Sequence, residues 1–142
     1  MNRVAPSLLS AYQETDYVVN NNQLETIMRV GEQNSVVAHW LSDSKLKYAG
    51  FITAFNPDSI MLSDAENQQR HQQLISIVEH KNLQFIEGFG KGRDNKWPAE
   101  TSLLISANSK HTLNKLAAKF GQAAYVLVNA RGFVELIDQS QY

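Results

Sequence analysis

The chain has 142 residues, of which 43% are hydrophobic and 19% charged, with a formal net charge of −1. That length and composition predict one globular domain with a real core, and the balanced charge gives no general pull toward nucleic acid or an anionic membrane. Cysteine is absent, which excludes disulfides, thiolate catalysis, iron–sulfur ligation and cysteine-bound zinc. No apolar run approaches the roughly 18 residues of a membrane span and the first ten residues lack a signal-like core, so a soluble cytoplasmic protein of bacterial type is expected.

In chain order, Ser7–Thr15 predicts a short helix with Pro6 at its start. Asp16–Val19 and Leu24–Val30 predict a hairpin around the polar run Asn20-Asn21-Asn22-Gln23, because Leu24, Thr26, Met28 and Val30 alternate with Glu25, Ile27 and Arg29, a half-buried pattern despite Ile27. Ser35–Ser44 predicts a helix capped by Asn34 or Ser35, with Val36, Val37, Trp40 and Leu41 on one face. Tyr48–Phe55 is a mostly apolar strand, halted at Asn56-Pro57 because proline has no amide hydrogen to offer a ladder.

Ser63-Asp64-Ala65-Glu66 is a capping box, and the helix it opens should run to about Lys81. A strand at Leu83–Glu87 and a long loop at Gly88–Pro98, with glycines at 88, 90 and 92, come next. Thr101–Ala107 is a further apolar strand. Ser109–Phe120 is a helix closed by Gly121, and Ala123–Val128 with Phe133–Ile137 forms a terminal hairpin. The order predicts one α/β (α+β) domain over residues 1–142, a mixed sheet with three or four helices.

Leu74, Ile77 and Val78 mark the buried face of the capping-box helix, and steps of three and four back from Leu74 reach Arg70 and His71, then Asn67. Two arrangements stay open. The N-terminal half overhangs the core and lines a cleft near the end of the Tyr48–Phe55 strand, or the face rotates to bury Ala65 and Gln68 beneath a solvated polar surface. Thr53 and Asn56 lie at that strand end, a favoured ligand position. Glu100 and Ser102 open the next core strand; the carboxylate suits acid–base work, or simply an ion pair with Arg70 or Lys96.

The loop from Gly88 to Lys96 has the composition of a phosphate cradle with Lys91, Arg93 and Lys96, yet neither a P-loop nor a dinucleotide fingerprint fits, and a surface loop able to act as a lid is the plainer reading. The four histidines form no ligand pair, so no metal is expected, and no Gly-x-Ser-x-Gly elbow occurs. Phe89 and Trp97 beside the basic residues give only a weak nucleic-acid signal.

The succession Ala11-Tyr12, Thr15 to Tyr17, Thr53-Ala54-Phe55-Asn56-Pro57, Ser63 through Glu66-Asn67 to Arg70, Glu100-Thr101-Ser102 and Phe120-Gly121-Gln122 resembles the bacterial family called domain of unknown function 3293. The resemblance spans nearly the whole chain and implies a small stand-alone α/β protein, with no established activity, cofactor or substrate. Its motif residues map onto Thr53, Asn56, Asn67, Arg70, Glu100, Ser102 and Gln122. Ala123 stands where members commonly carry Asn, which argues against a catalytic role at that position.

The expectation is a small-ligand binding module, or a minor enzyme, with a polar cleft built from those residues. Arg70 would hold a polar or anionic ligand through its planar fork. The rival is an interaction module using the edge of the terminal hairpin. Weak nucleic-acid binding ranks third, and no cofactor, metal or membrane association is expected.

Overall fold

The computed structural model describes residues 6–94 and 98–139. The chain runs α1 (Pro6–Gln13), β1 (Thr15–Asn20), β2 (Glu25–Met28), α2 (Ser35–Ser44), β3 (Tyr48–Thr53), a single 3-10 turn (Pro57–Ser59), α3 (Asp64–His80), β4 (Phe85–Gly92), β5 (Glu100–Ala107), α4 (Lys110–Lys119), β6 (Ala124–Asn129) and β7 (Val134–Asp138). One sheet holds all seven strands in the order β2-β1-β4-β5-β3-β6-β7.

The mixed sheet expected from the element order is corrected here, because every strand pairing is antiparallel. Helical crossovers normally return a strand parallel to the one before it. In this chain α3 and α4 each return their strand two places away, and the slot between is filled by an antiparallel neighbour: β5 between β3 and β4, β3 between β5 and β6. From β3 to β6 this is the β-α-β-β-α-β order of a ferredoxin-like split unit. The β1–β2 hairpin extends it beyond β4, and β7 extends it beyond β6. The sheet curls far enough that the segment after β2 reaches β7, with the Gly31 amide donating to the Val134 carbonyl at 2.8 Å and the Val134 amide to Glu32 at 3.0 Å. That contact covers the start of β7, the edge considered for partner binding.

Alternation along each strand sends side chains to two cores. Ile52, Leu103, Ile105 and Leu127 meet Leu74 and Val78 of α3 and Leu113, Leu116 and Ala117 of α4 on one face. Ala49, Phe51, Leu104, Val126 and Val128 turn to the other face, where Val37 and Leu41 of α2 and, more loosely, Tyr12 of α1 pack over them.

Local signals account for most element ends. Ser63 accepts from the Glu66 amide at 3.2 Å while the Glu66 carboxylate takes the Ser63 amide, so the capping box is formed. Asn34 caps α2 by accepting from Val37. Gly121 follows α4 at φ +70°, where a side chain would be strained.

The loop expected at Gly88–Pro98 is a strand as far as Gly92. Gly88 lies where the chain of β1 comes so close that a Cβ would run into the Val18 carbonyl, so glycine here serves close packing inside a ladder. Asn95, Lys96 and Trp97, the rest of the basic and aromatic loop, lie outside the described residues. Among the described residues no helix is long and apolar enough to cross a membrane.

Candidate functional site

The three glycines of β4 share a face. Register places Gly88 beside Ser102 and Gly90 beside Glu100 on β5, Gly90 beside Tyr17 and Gly92 beside Thr15 on β1, and Ser102 beside Thr53 on β3. This is the α1–α2 face, and here the strands carry glycine, serine, threonine and Ala124 where their other halves carry Ile86, Leu104 and Val128. Gly88 is closed off by the Val18 carbonyl, but around Gly90 and Gly92 the missing side chains leave a cavity of about 380 Å³ between the sheet and α1.

Aromatic groups form much of its wall. Tyr17 meets Phe51 edge-on, with ring centroids 5.5 Å apart, and its hydroxyl donates to the Tyr12 carbonyl at 2.9 Å. Tyr12 in turn donates to the Ala124 carbonyl at 3.2 Å, tying α1 to β6. Burial raises both phenols well above their ordinary pKa, and the negative charge of Glu100 pushes each the same way. Both therefore stay protonated and hold their donor roles.

Glu100 is fixed from behind. Asn56 donates its amide to the Glu100 carboxylate at 2.7 Å, and Asn56 is itself held at three points. Asn67 accepts the Asn56 amide hydrogen and donates to the Asn56 side-chain oxygen, both at 2.9 Å, and the Leu62 amide donates to that same oxygen. Asn56, Asp58 and Ser59 all lie at positive φ, a conformation that persists only where the surroundings over-determine it. They are over-determined here: the Asp58 amide donates to Gly121 at 2.8 Å, and Gln122 donates to the Phe55 carbonyl at 2.9 Å.

Of the seven residues expected at a site, Thr53, Asn56, Glu100, Ser102 and Gln122 line the cavity. Asn67 and Arg70 stand behind it on α3. Arg70 donates to the carbonyls of Ala54, at 2.7 Å, and Phe120, and its guanidinium lies over the Phe120 ring. It braces the strand end, and the carboxylate of Glu100 is paired with Asn56 where an ion pair with Arg70 was one expectation. The polar stripe of α3 is buried at Asn67 and His71 while Ala65 and Gln68 are exposed, so the rotated arrangement does not occur.

His71 packs against Phe55, and neither ring nitrogen has a hydrogen-bond partner among the described residues. Burial pushes its pKa below the ordinary histidine value, opposed by the Glu87 carboxylate 3.5 Å away. The stability gained from a neutral His71 is thus present above that ordinary value and lost as pH falls below it.

Tyr12, Tyr17 and Gly90 belong to the wall but carried no role in the sequence reading. The Ala11-Tyr12 and Thr15–Tyr17 motifs were the available signal for the tyrosines.

All seven motif residues fall within one stretch of chain, and a family model described as protein of unknown function (DUF3293) matches residues 52–125. The chain belongs to this family. The DUF3293 match covers the split unit from the end of β3 into β6, with the loop that fixes Asn56, whereas α1 and the cavity residues Tyr12 and Tyr17 lie outside it. Comparison with curated proteins and with solved structures returns no match.

Proposed function

We propose that the protein is a small-ligand binding module acting in a bacterial cytoplasm, a setting its cysteine-free composition agrees with. Its ligand would sit in the cavity between α1 and β4, β5 and β3. The observation that carries this reading is the 380 Å³ cavity with Glu100 held in its wall at 2.7 Å by Asn56. Such a volume, mostly apolar walls and a few fixed polar groups are the usual attributes of a small-molecule site. A strained loop secured from three directions supports it further, since local strain of this kind gathers at functional sites. If turnover accompanies binding, Glu100 is the group placed to exchange a proton.

A metabolite screen by thermal shift tests the reading on two proteins, the natural chain and Gly90→Leu, whose side chain would occupy the cavity. The expected result is at least one compound that raises Tm of the natural chain and leaves the variant unmoved. Equal shifts in both proteins would place the binding elsewhere and refute the reading.

A further inference from the structure

On the other face of the sheet, α3 and the end of α4 border a groove of about 420 Å³ lined by Arg70, Gln73, Ser76, Ile77, Lys119 and Phe120. It shares no lining residue with the cavity. Helical spacing sets Arg70, Gln73 and Ile77 on one stripe of α3. Arg70 is held rigidly there: Nε donates to the Ala54 carbonyl at 2.7 Å, Nη2 donates to the Phe120 carbonyl, and the guanidinium lies 5.6 Å over the Phe120 ring. The brace that secures the strand end therefore also fixes the direction of the guanidinium, and binding through its free edge costs little side-chain ordering.

A guanidinium carries five N–H groups and no acceptor. Among the described residues Nη1 of Arg70 meets no acceptor, and neither Arg70 nor Lys119 has a carboxylate within ion-pair distance. No lining residue is acidic, and α4 carries no carboxylate from Lys110 to Lys119. Glu66, one turn before Arg70, is closed onto Ser63. Gln73 and Ser76 stand exposed beside the two cations and add an amide and a hydroxyl. A cationic ligand would meet two positive charges here, whereas an oxyanion would meet a planar fork, an ammonium and two neutral donors. Fork and ammonium together suit a tetrahedral dianion, two of its oxygens on the guanidinium and a third on the lysine.

We propose that this groove binds a phosphate group through Arg70 and Lys119, with Gln73 and Ser76 donating to the oxygens that remain. It is a second site, independent of the cavity.

Backbone-amide NMR of the full chain, titrated with sodium phosphate at neutral pH and constant ionic strength, tests this. The expected result is saturable shifts at Gln73, Ser76, Lys119 and Phe120 that persist in Gly90→Leu. Lys119 is exposed, so Lys119→Gln should fold and bind about fivefold more weakly, the loss of one exposed charge pair. Lys115→Gln, exposed on α4 but outside the groove, should change affinity by less than about twofold. Phenyl phosphate separates the sources of the group. Tighter binding than inorganic phosphate assigns an organic ester with its body against Ile77, and equal binding assigns free phosphate. No saturable shift, or equal losses in Lys115→Gln and Lys119→Gln, would overturn the proposal. Shifts that vanish in Gly90→Leu would overturn it too, by moving phosphate to the cavity, whose own standing rests on the metabolite screen.

Discussion

On the α1–α2 face of the sheet, the end under α2 is filled by Ile86, Leu104, Phe51, Val126 and Val128, with Val37, Leu41, Val19 and Met28 closing over them. The end under α1 is built on the same strands and is hollow, because register groups Gly90 and Gly92 of β4 with Thr15 of β1, Glu100 and Ser102 of β5 and Thr53 of β3. Backbone geometry is common to both ends, so side-chain volume alone makes one a core and the other a cavity. On the opposite face α3 and α4 pack large apolar groups over β3, β5 and β6, while Phe89 of β4 and Ile27 of β2 stay exposed. A ferredoxin-like unit has helices on one face only. In this protein the added segments cover the second face, sealing half of it and roofing the other half.

The comparison is most easily broken at the filled end. Leu41 is fully buried, and Leu41→Ala should cost about 3 kcal/mol in chemical denaturation, the usual range for emptying a packed site. A cost below about 1 kcal/mol would mean that this end is as loosely packed as the other.

Arg70→Ala should cost about 2 kcal/mol, because it leaves the buried Ala54 carbonyl and the Phe120 carbonyl without their charged donor. Ligand affinity of the folded variant should change only a few-fold. Full stability with lost binding would show that Arg70 touches the ligand, as its place on the α3 stripe first suggested.

The smallest effect belongs to the hollow end. A Cβ at Gly90 meets only the rings and methyls of Tyr17 and Thr15 at 3.5 Å or more, so Gly90→Ala should move stability by less than about 0.5 kcal/mol. Gly88→Ala, which collides with the Val18 carbonyl, serves as the contrast and should destabilise clearly. Similar costs at both positions would show that the space beside Gly90 is not open.

The helices were legible because caps and periodicity are local: Asn34, Ser63, Ser109 and Gly121 stand where the sequence placed them. The strand through Gly92 was not, since alternating glycines read as loop until a neighbouring strand explains their absent side chains. Strand direction was hidden for a related reason, as each slot beside a crossover is filled from elsewhere in the chain. At the candidate site, strand ends pointed to Thr53, Asn56 and Glu100, which line the cavity, whereas Gln122 rested mainly on the family resemblance. Helical spacing set Arg70 on the correct stripe of α3 yet could not say on which side of the strand end that stripe would lie. Tyr12 and Tyr17 stood in the motifs of the resemblance, but spacing could not assign them to the cavity, because the pairing of β1 with β4 that sets Tyr17 beside Gly90 is long-range.

The central claim is that the glycine-lined space under α1 is where this protein meets a ligand, and backbone-amide NMR of the full chain, titrated with the compound that raises Tm most in the metabolite screen, tests it most directly. The account predicts shifts that saturate and cluster at Tyr17, Gly90, Glu100 and Ser102, around the cavity, and that vanish in Gly90→Leu. Shifts gathered instead at the exposed Ile60 and Met61 or along β2, or no saturable shift at all, would contradict it.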